Sequence, residues 1–118
     1  MQISQELIKG TVIPVVLSLL KDHPRYGYEM VQLVNARTNG ALNWSEGTLY
    51  PVLHKLEADR LVKAEWREEG NRRRKYYALT AAGRRELRRR SEEWKTFIDA
   101  VGQILVRGSA ALSPEVKP

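Results

Sequence analysis

Apolar residues three and four apart open the chain. Leu7, Ile8, Val12, Val15, Val16, Leu19 and Leu20 fall on one face of a first helix, with Ser4 where an N-cap belongs and His23-Pro24 as its stop. Pro14 lies inside this pattern and removes a backbone donor, so a kink is expected there. After the turn Tyr26-Gly27-Tyr28, a second helix of about three turns carries Met30, Val31 and Val34 and ends at Asn39-Gly40. Ser45 caps a third helix, in which Leu49, Val52, Leu53 and Leu56 stand at i, i+3, i+4 and i+7. Beyond Leu61 the period switches to two: Val62, Ala64 and Trp66 alternate with Lys63, Glu65 and Arg67, and a return strand over 75–79 pairs back across Glu69-Gly70-Asn71. Thr80 then caps a fourth helix. The pattern predicts a mainly α chain with one β-hairpin, an α+β fold, divided into a body (1–79), a C-terminal helix (80–107) and a flexible Ser/Ala/Pro tail (108–118).

Two of these elements leave a face that the body does not use. The outer side of the third helix presents Gly47, Thr48, Tyr50, Pro51, His54 and Lys55, small, hydrogen-bonding and cationic groups with no carboxylate at the centre, which suits a DNA major groove. On the fourth helix Leu87, Ser91, Trp94, Ile98, Val101 and Leu105 alternate at four and three, the seam of a two-helix coiled coil. Either a second copy of the chain covers that seam, giving a homodimer, or it folds back on the first helix.

Composition narrows the class. The 118 residues suffice for one domain, and 20 Lys+Arg against 14 Asp+Glu give a formal charge of +6, which favours a polyanionic partner. There is no cysteine, so disulfides and thiolate chemistry are excluded. No apolar stretch is long enough to span a bilayer and no signal peptide is legible, so a cytoplasmic protein without membrane contact is expected. His23 and His54 have no partners at ligand spacing, so no metal and no cofactor are expected. No nucleophile, base and oxyanion donor are brought together, which argues against an enzyme and leaves no catalytic residues to name. The tip of the hairpin reads Arg72-Arg73-Arg74-Lys75. Alternation along a strand prevents all four from pairing with Glu68 and Glu69. They are either a solvated turn or, beside the polar face of the third helix, contacts to phosphate or the minor groove.

Several short motifs occur in one order: Lys9-Gly10-Thr11, Tyr26-Gly27-Tyr28-Glu29, Glu46-Gly47-Thr48-Leu49-Tyr50-Pro51-Val52-Leu53, Leu56-Glu57, Arg73-Arg74-Lys75-Tyr76-Tyr77 and Leu79-Thr80. Together, over residues of about 6 to 100, they resemble the PadR family of bacterial transcriptional regulators. The resemblance implies a winged helix-turn-helix domain with a C-terminal dimerisation helix, and a repressor released by small molecules, similar to the compact branch that includes multidrug-binding repressors. On this reading Thr48, Tyr50, His54 and Lys55 reach base edges or adjoining phosphates, while Lys9, Tyr26 and Tyr28 hold the backbone. Arg72, Arg73, Arg74 and Lys75 contact phosphate or the minor groove, and the target is double-stranded DNA with an inverted-repeat operator. Leu87, Trp94, Ile98, Val101 and Leu105 form the dimer interface. Trp94 and Phe97 are either interface core or the flanks of a cleft for a small aromatic ligand, walled by Ile98, Leu7 and Pro14. The competing reading is a winged-helix partner-binding or architectural DNA protein without a ligand.

Overall fold

Ser4 opens a helix in the computed structural model, which describes residues 3–107, but that helix is little more than one turn long. Ser4 Oγ accepts from the Leu7 amide at 3.4 Å, starting α1 (Gln5–Lys9). Gly10 and Thr11 interrupt it, with the Thr11 hydroxyl donating to the Ile8 carbonyl at 2.7 Å, and α2 (Val12–Leu19) starts afresh. The expected kink at Pro14 is therefore corrected to a break just ahead of it. Pro14 falls in the first turn of α2, where a backbone amide has no carbonyl within the helix to meet.

A two-residue strand, β1 (Arg25–Tyr26), replaces part of the expected turn and leads into α3 (Gly27–Arg37). Glu29 anchors this junction, accepting from the Tyr26 amide at 3.3 Å and from Arg25 at 2.9 Å. At the far end Asn39 takes φ 51° and Gly40 φ 77°. The Gly40 amide reaches back to the Asn35 carbonyl at 2.8 Å and the Asn39 amide to Ala36 at 3.4 Å, a Schellman closure. The Asn35 side chain grips the backbone of Trp44 on both sides, donating to its carbonyl at 2.9 Å and accepting from its amide at 2.8 Å. This fixes the turn before α4 (Glu46–Ala58), which Ser45 caps by accepting from the Thr48 amide at 3.2 Å. A second Schellman closure ends α4, from Leu61 to the Leu56 carbonyl at 2.9 Å and from Arg60 to Glu57 at 3.0 Å, with Arg60 at φ 61°.

The hairpin comprises β2 (Val62–Glu69) and β3 (Arg72–Leu79), joined by Gly70-Asn71 with φ 61° at the glycine. The return strand thus begins at Arg72, three residues before the expected start, because this two-residue turn lets pairing continue to Glu69 opposite Arg72. The sheet is antiparallel in the order β1-β3-β2, with Arg25 opposite Tyr77 and Tyr26 opposite Tyr76. Finally α5 (Ala81–Gly102) is capped by Thr80, whose hydroxyl accepts from the Gly83 amide at 3.0 Å, and it continues as a π-helical stretch, Gln103–Arg107.

Helices, turn, helix and hairpin in this order make a winged helix-turn-helix, an α+β fold. Its core draws Val16 and Leu17 from α2, Met30 from α3, Leu49 and Leu53 from α4, and Tyr77 from β3. Each fully buried aliphatic side chain contributes roughly 1.5–3 kcal/mol. Leu87, expected at the dimer seam, joins this core at 9% exposure. Residues to Leu87 form one compact unit and those from Arg88 another. The tail expected over 108–118 lies outside the described residues. Among the described residues no helix is long and apolar enough to cross a membrane.

Candidate nucleic-acid interface

Three buried leucines, Leu49, Leu53 and Leu56, fix which side of α4 faces outward. His54 and Lys55 are exposed there, and Lys55 meets Asp59 at 3.1 Å in a pair with both partners exposed. Such a pair is worth only about 0.3–0.5 kcal/mol and yields readily to a phosphate. Thr48 is half-buried, its hydroxyl 3.2 Å from Ser45 Oγ. Tyr50 is placed differently from a free reader. Its hydroxyl sits against the bare backbone of Gly27, where a Cβ would collide with the ring, so it props α4 against α3. Burial, then the Glu46 carboxylate, then Tyr77 raise the Tyr50 pKa.

The hairpin register sorts the wing cations onto two faces. One face continues the core side: Val62 and Leu79, then Ala64 and Tyr77, then Trp66 and Lys75, and at the tip Glu68 and Arg73. Tyr77 is 1% exposed, whereas Trp66, two residues further out on the opposite strand, is 55% exposed. The Arg73 guanidinium lies over the Trp66 ring, 4.7 Å from its centroid. Lys75 is drawn inward, 3.8 Å from Glu57 of α4 and 5.6 Å from the Tyr77 ring.

Most of the other face is satisfied internally. Tyr76 donates its hydroxyl to both Glu69 oxygens at 2.8 Å, and this bond is the main reason its pKa is raised. Arg74 lies over Tyr26 at 4.3 Å and 3.6 Å from Glu69, while Arg67 covers Tyr76 at 4.5 Å. Tyr26 and Tyr76 meet edge to face, 5.5 Å apart. Of the four successive cations, Arg72 is left with no ion pair or ring contact among the described residues.

Wing, α4 and the start of α3 enclose an open groove of about 490 Å³. It gathers the expected DNA-contacting residues Tyr26, Tyr28, Tyr50, His54, Arg72, Arg73, Arg74 and Lys75, and leaves Lys9, Thr48 and Lys55 off its walls. It also contains Trp66, which shares a face with Val62 and Ala64 but stands beyond the end of the core. Among the described residues no three His, Cys, Asp or Glu are placed to hold a metal ion.

The expected ligand and interface residues divide between the two units. Leu7 on α1 is 65% exposed, and Pro14 on α2 is half-buried. In the second unit Trp94 and Phe97 meet edge to face at 5.1 Å, Val101 is half-buried, and Phe97, Ile98 and Leu105 are exposed.

Residues 16–89 match the model of the family described as Transcriptional regulator PadR-like. An uncharacterized protein of Lysinibacillus sphaericus is 33% identical over 102 residues, covering 82% of this chain and 93% of that protein. The solved structure of a transcriptional regulator from Clostridium thermocellum is 31% identical and superposes with a TM-score of 0.79, covering 87% of this chain and 98% of the other. Bacillus subtilis PadR, solved in complex with operator DNA, shares the fold at 23% identity and a TM-score of 0.59, over 64% of this chain and 44% of that one. A transcriptional regulator of Escherichia coli is a longer protein, of which the chain spans 51%, and one of Mycobacterium tuberculosis is 54% identical over 43 residues, 36% of this chain and 40% of that one.

Proposed function

Because the chain belongs to the PadR-like family of transcriptional regulators, and is not an enzyme, we propose that it acts as a dimeric, sequence-specific DNA-binding repressor. The observation that carries this reading is the groove between α4 and the wing, in which cations and aromatic rings surround a space open to solvent. In use, the first turns of α4 enter the major groove with Thr48, His54 and Lys55, while Arg72 and Arg73 reach phosphate or the minor groove. Tyr26 and Tyr28 flank the backbone, and Lys9 contacts it from α1. Two copies joined through Trp94, Ile98, Val101 and Leu105 read an inverted repeat with half-sites about 34 Å apart. The site of action is the cytoplasm.

A small aromatic ligand held at the dimer interface by Trp94, Phe97 and Ile98, with Leu7 and Pro14 as walls, releases the repressor by favouring a spacing of the two α4 helices that DNA does not accept. Binding of planar dyes should fall sharply in Trp94→Ala; an unchanged affinity removes the ligand site and leaves the DNA reading intact. One feature supports a competing architectural role. The outer face of α4 contains no Arg, Asn or Gln for bidentate base recognition, so shape and backbone contacts carry more of the readout. Footprinting on DNA upstream of the protein's own gene separates the two. Protection of a discrete inverted repeat supports the repressor, and uniform protection the architectural protein.

A further inference from the structure

Resting on that DNA-binding reading, we propose that Trp66 is a positioning residue of the interface, a platform that holds the Arg73 guanidinium in the orientation in which it meets a DNA strand lying between wing and α4. Trp66 is the most exposed aromatic side chain of the hairpin, 55% accessible, on a face whose core role ends at Tyr77. An indole left in water adds little to stability, and this one borders a groove whose other walls are cationic and hydrogen-bonding.

The register explains the pairing. Trp66 stands opposite Lys75, and Arg73 is the next residue outward on the same face, diagonal to the ring and within reach of a long side chain. The guanidinium carbon is 4.7 Å from the ring centroid. A planar cation stacked on an aromatic face keeps its edge N–H donors directed away from the ring, the arrangement that suits a phosphate or a base edge. The neighbouring cations differ. Arg74 is held by Tyr26 and Glu69, Lys75 by Glu57 and Tyr77, and Arg72 has no such support among the described residues. Arg73 is therefore the wing cation that is oriented without its charge being neutralised.

The test is a double-mutant cycle on the full chain. Affinity for a fluorescein-labelled duplex from the region upstream of its own gene is measured between about 50 and 200 mM salt. Arg73→Ala, which removes one phosphate contact from each of the two subunits, should weaken binding and flatten the salt slope by about 1.8. Trp66→Ala removes no charge, so its slope should stay at the parent value while affinity falls about fivefold to several hundredfold, the range of two cation–π contacts, one in each subunit. In the Arg73→Ala background the same Trp66→Ala change should have less than about a twofold effect, since the group it positions is gone. Trp66→Phe should recover most of the lost affinity. Arg73→Lys, which keeps the charge but loses the planar stack, should reproduce the Trp66→Ala loss with an unchanged slope, and it covers the case in which Trp66→Ala folds poorly. Equal effects of Trp66→Ala in both backgrounds, or full affinity in Arg73→Lys, overturn the platform while leaving the DNA-binding reading in place. A parent protein with no salt-dependent affinity for duplex DNA removes both.

Discussion

Gly83 has no room for a side chain. A Cβ there would collide with the Leu61 carbonyl oxygen, which already accepts from the Thr80 amide at 3.1 Å and cannot shift without disturbing the end of α4. Gly83→Ala should therefore destabilise the fold by about 1–3 kcal/mol, seen as a lower denaturant midpoint at unchanged slope. A midpoint equal to the parent's would mean that the two backbones separate freely. Nothing near Gly83 in the sequence announces this, because the contact comes from a residue on another element. The caps were legible for the opposite reason: Ser4, Ser45 and Thr80 each bond an amide three residues on, a purely local chemistry. Tyr50 lies between these cases. Helical spacing put it on the outer face of α4, but only the fold reveals the hollow at Gly27 that it fills.

The wing was legible as an element because strict alternation and a glycine turn are local signals. The two-residue β1 was not, since so short a strand has no period to detect, and its place is set by pairing with β3. The break at Gly10-Thr11 was hidden because Ile8 and Val12 keep a spacing of four across it, so the apolar face reads as continuous. Knowing the faces of the hairpin also changes what the basic run should do. Arg72→Ala and Arg73→Ala, each lost from both subunits, should each flatten the salt dependence of DNA binding by about 1.8, whereas Arg74→Ala, its cation held by Glu69 and Tyr26, should move it much less. Equal slopes for all three variants would show that the internal pairs open on DNA.

For the molecule as a whole, the apolar stripe from Trp94 to Leu105 remains to be covered, with Phe97 and Ile98 more than half exposed. Sedimentation at micromolar concentration should give twice the 13.6 kDa chain mass, and a monomer would return the stripe to other uses. Alkaline stability offers an independent check on the packing. Tyr50 and Tyr77 hold their protons more tightly than free phenols mainly through burial, and Tyr76 mainly through its bond to Glu69. Their folded values lie above the unfolded value of about 10, so the stability they contribute is complete below that pH and is lost as pH rises through the folded values. Phenolate absorbance in native buffer should lag behind the same titration in denaturant, and coincident curves would contradict the packing.

The joint at Thr80 has a mechanical consequence. Its hydroxyl reaches the Arg60 carbonyl at 2.7 Å and the Leu61 carbonyl at 3.1 Å, while Gly83 rests on the same turn. The root of α5 is thus riveted to the turn that closes α4, with no slack at the joint to absorb a twist. Torque on those first turns of α5 is delivered straight to the helix proposed to read DNA, so an effector has no need to touch α4 to steer it.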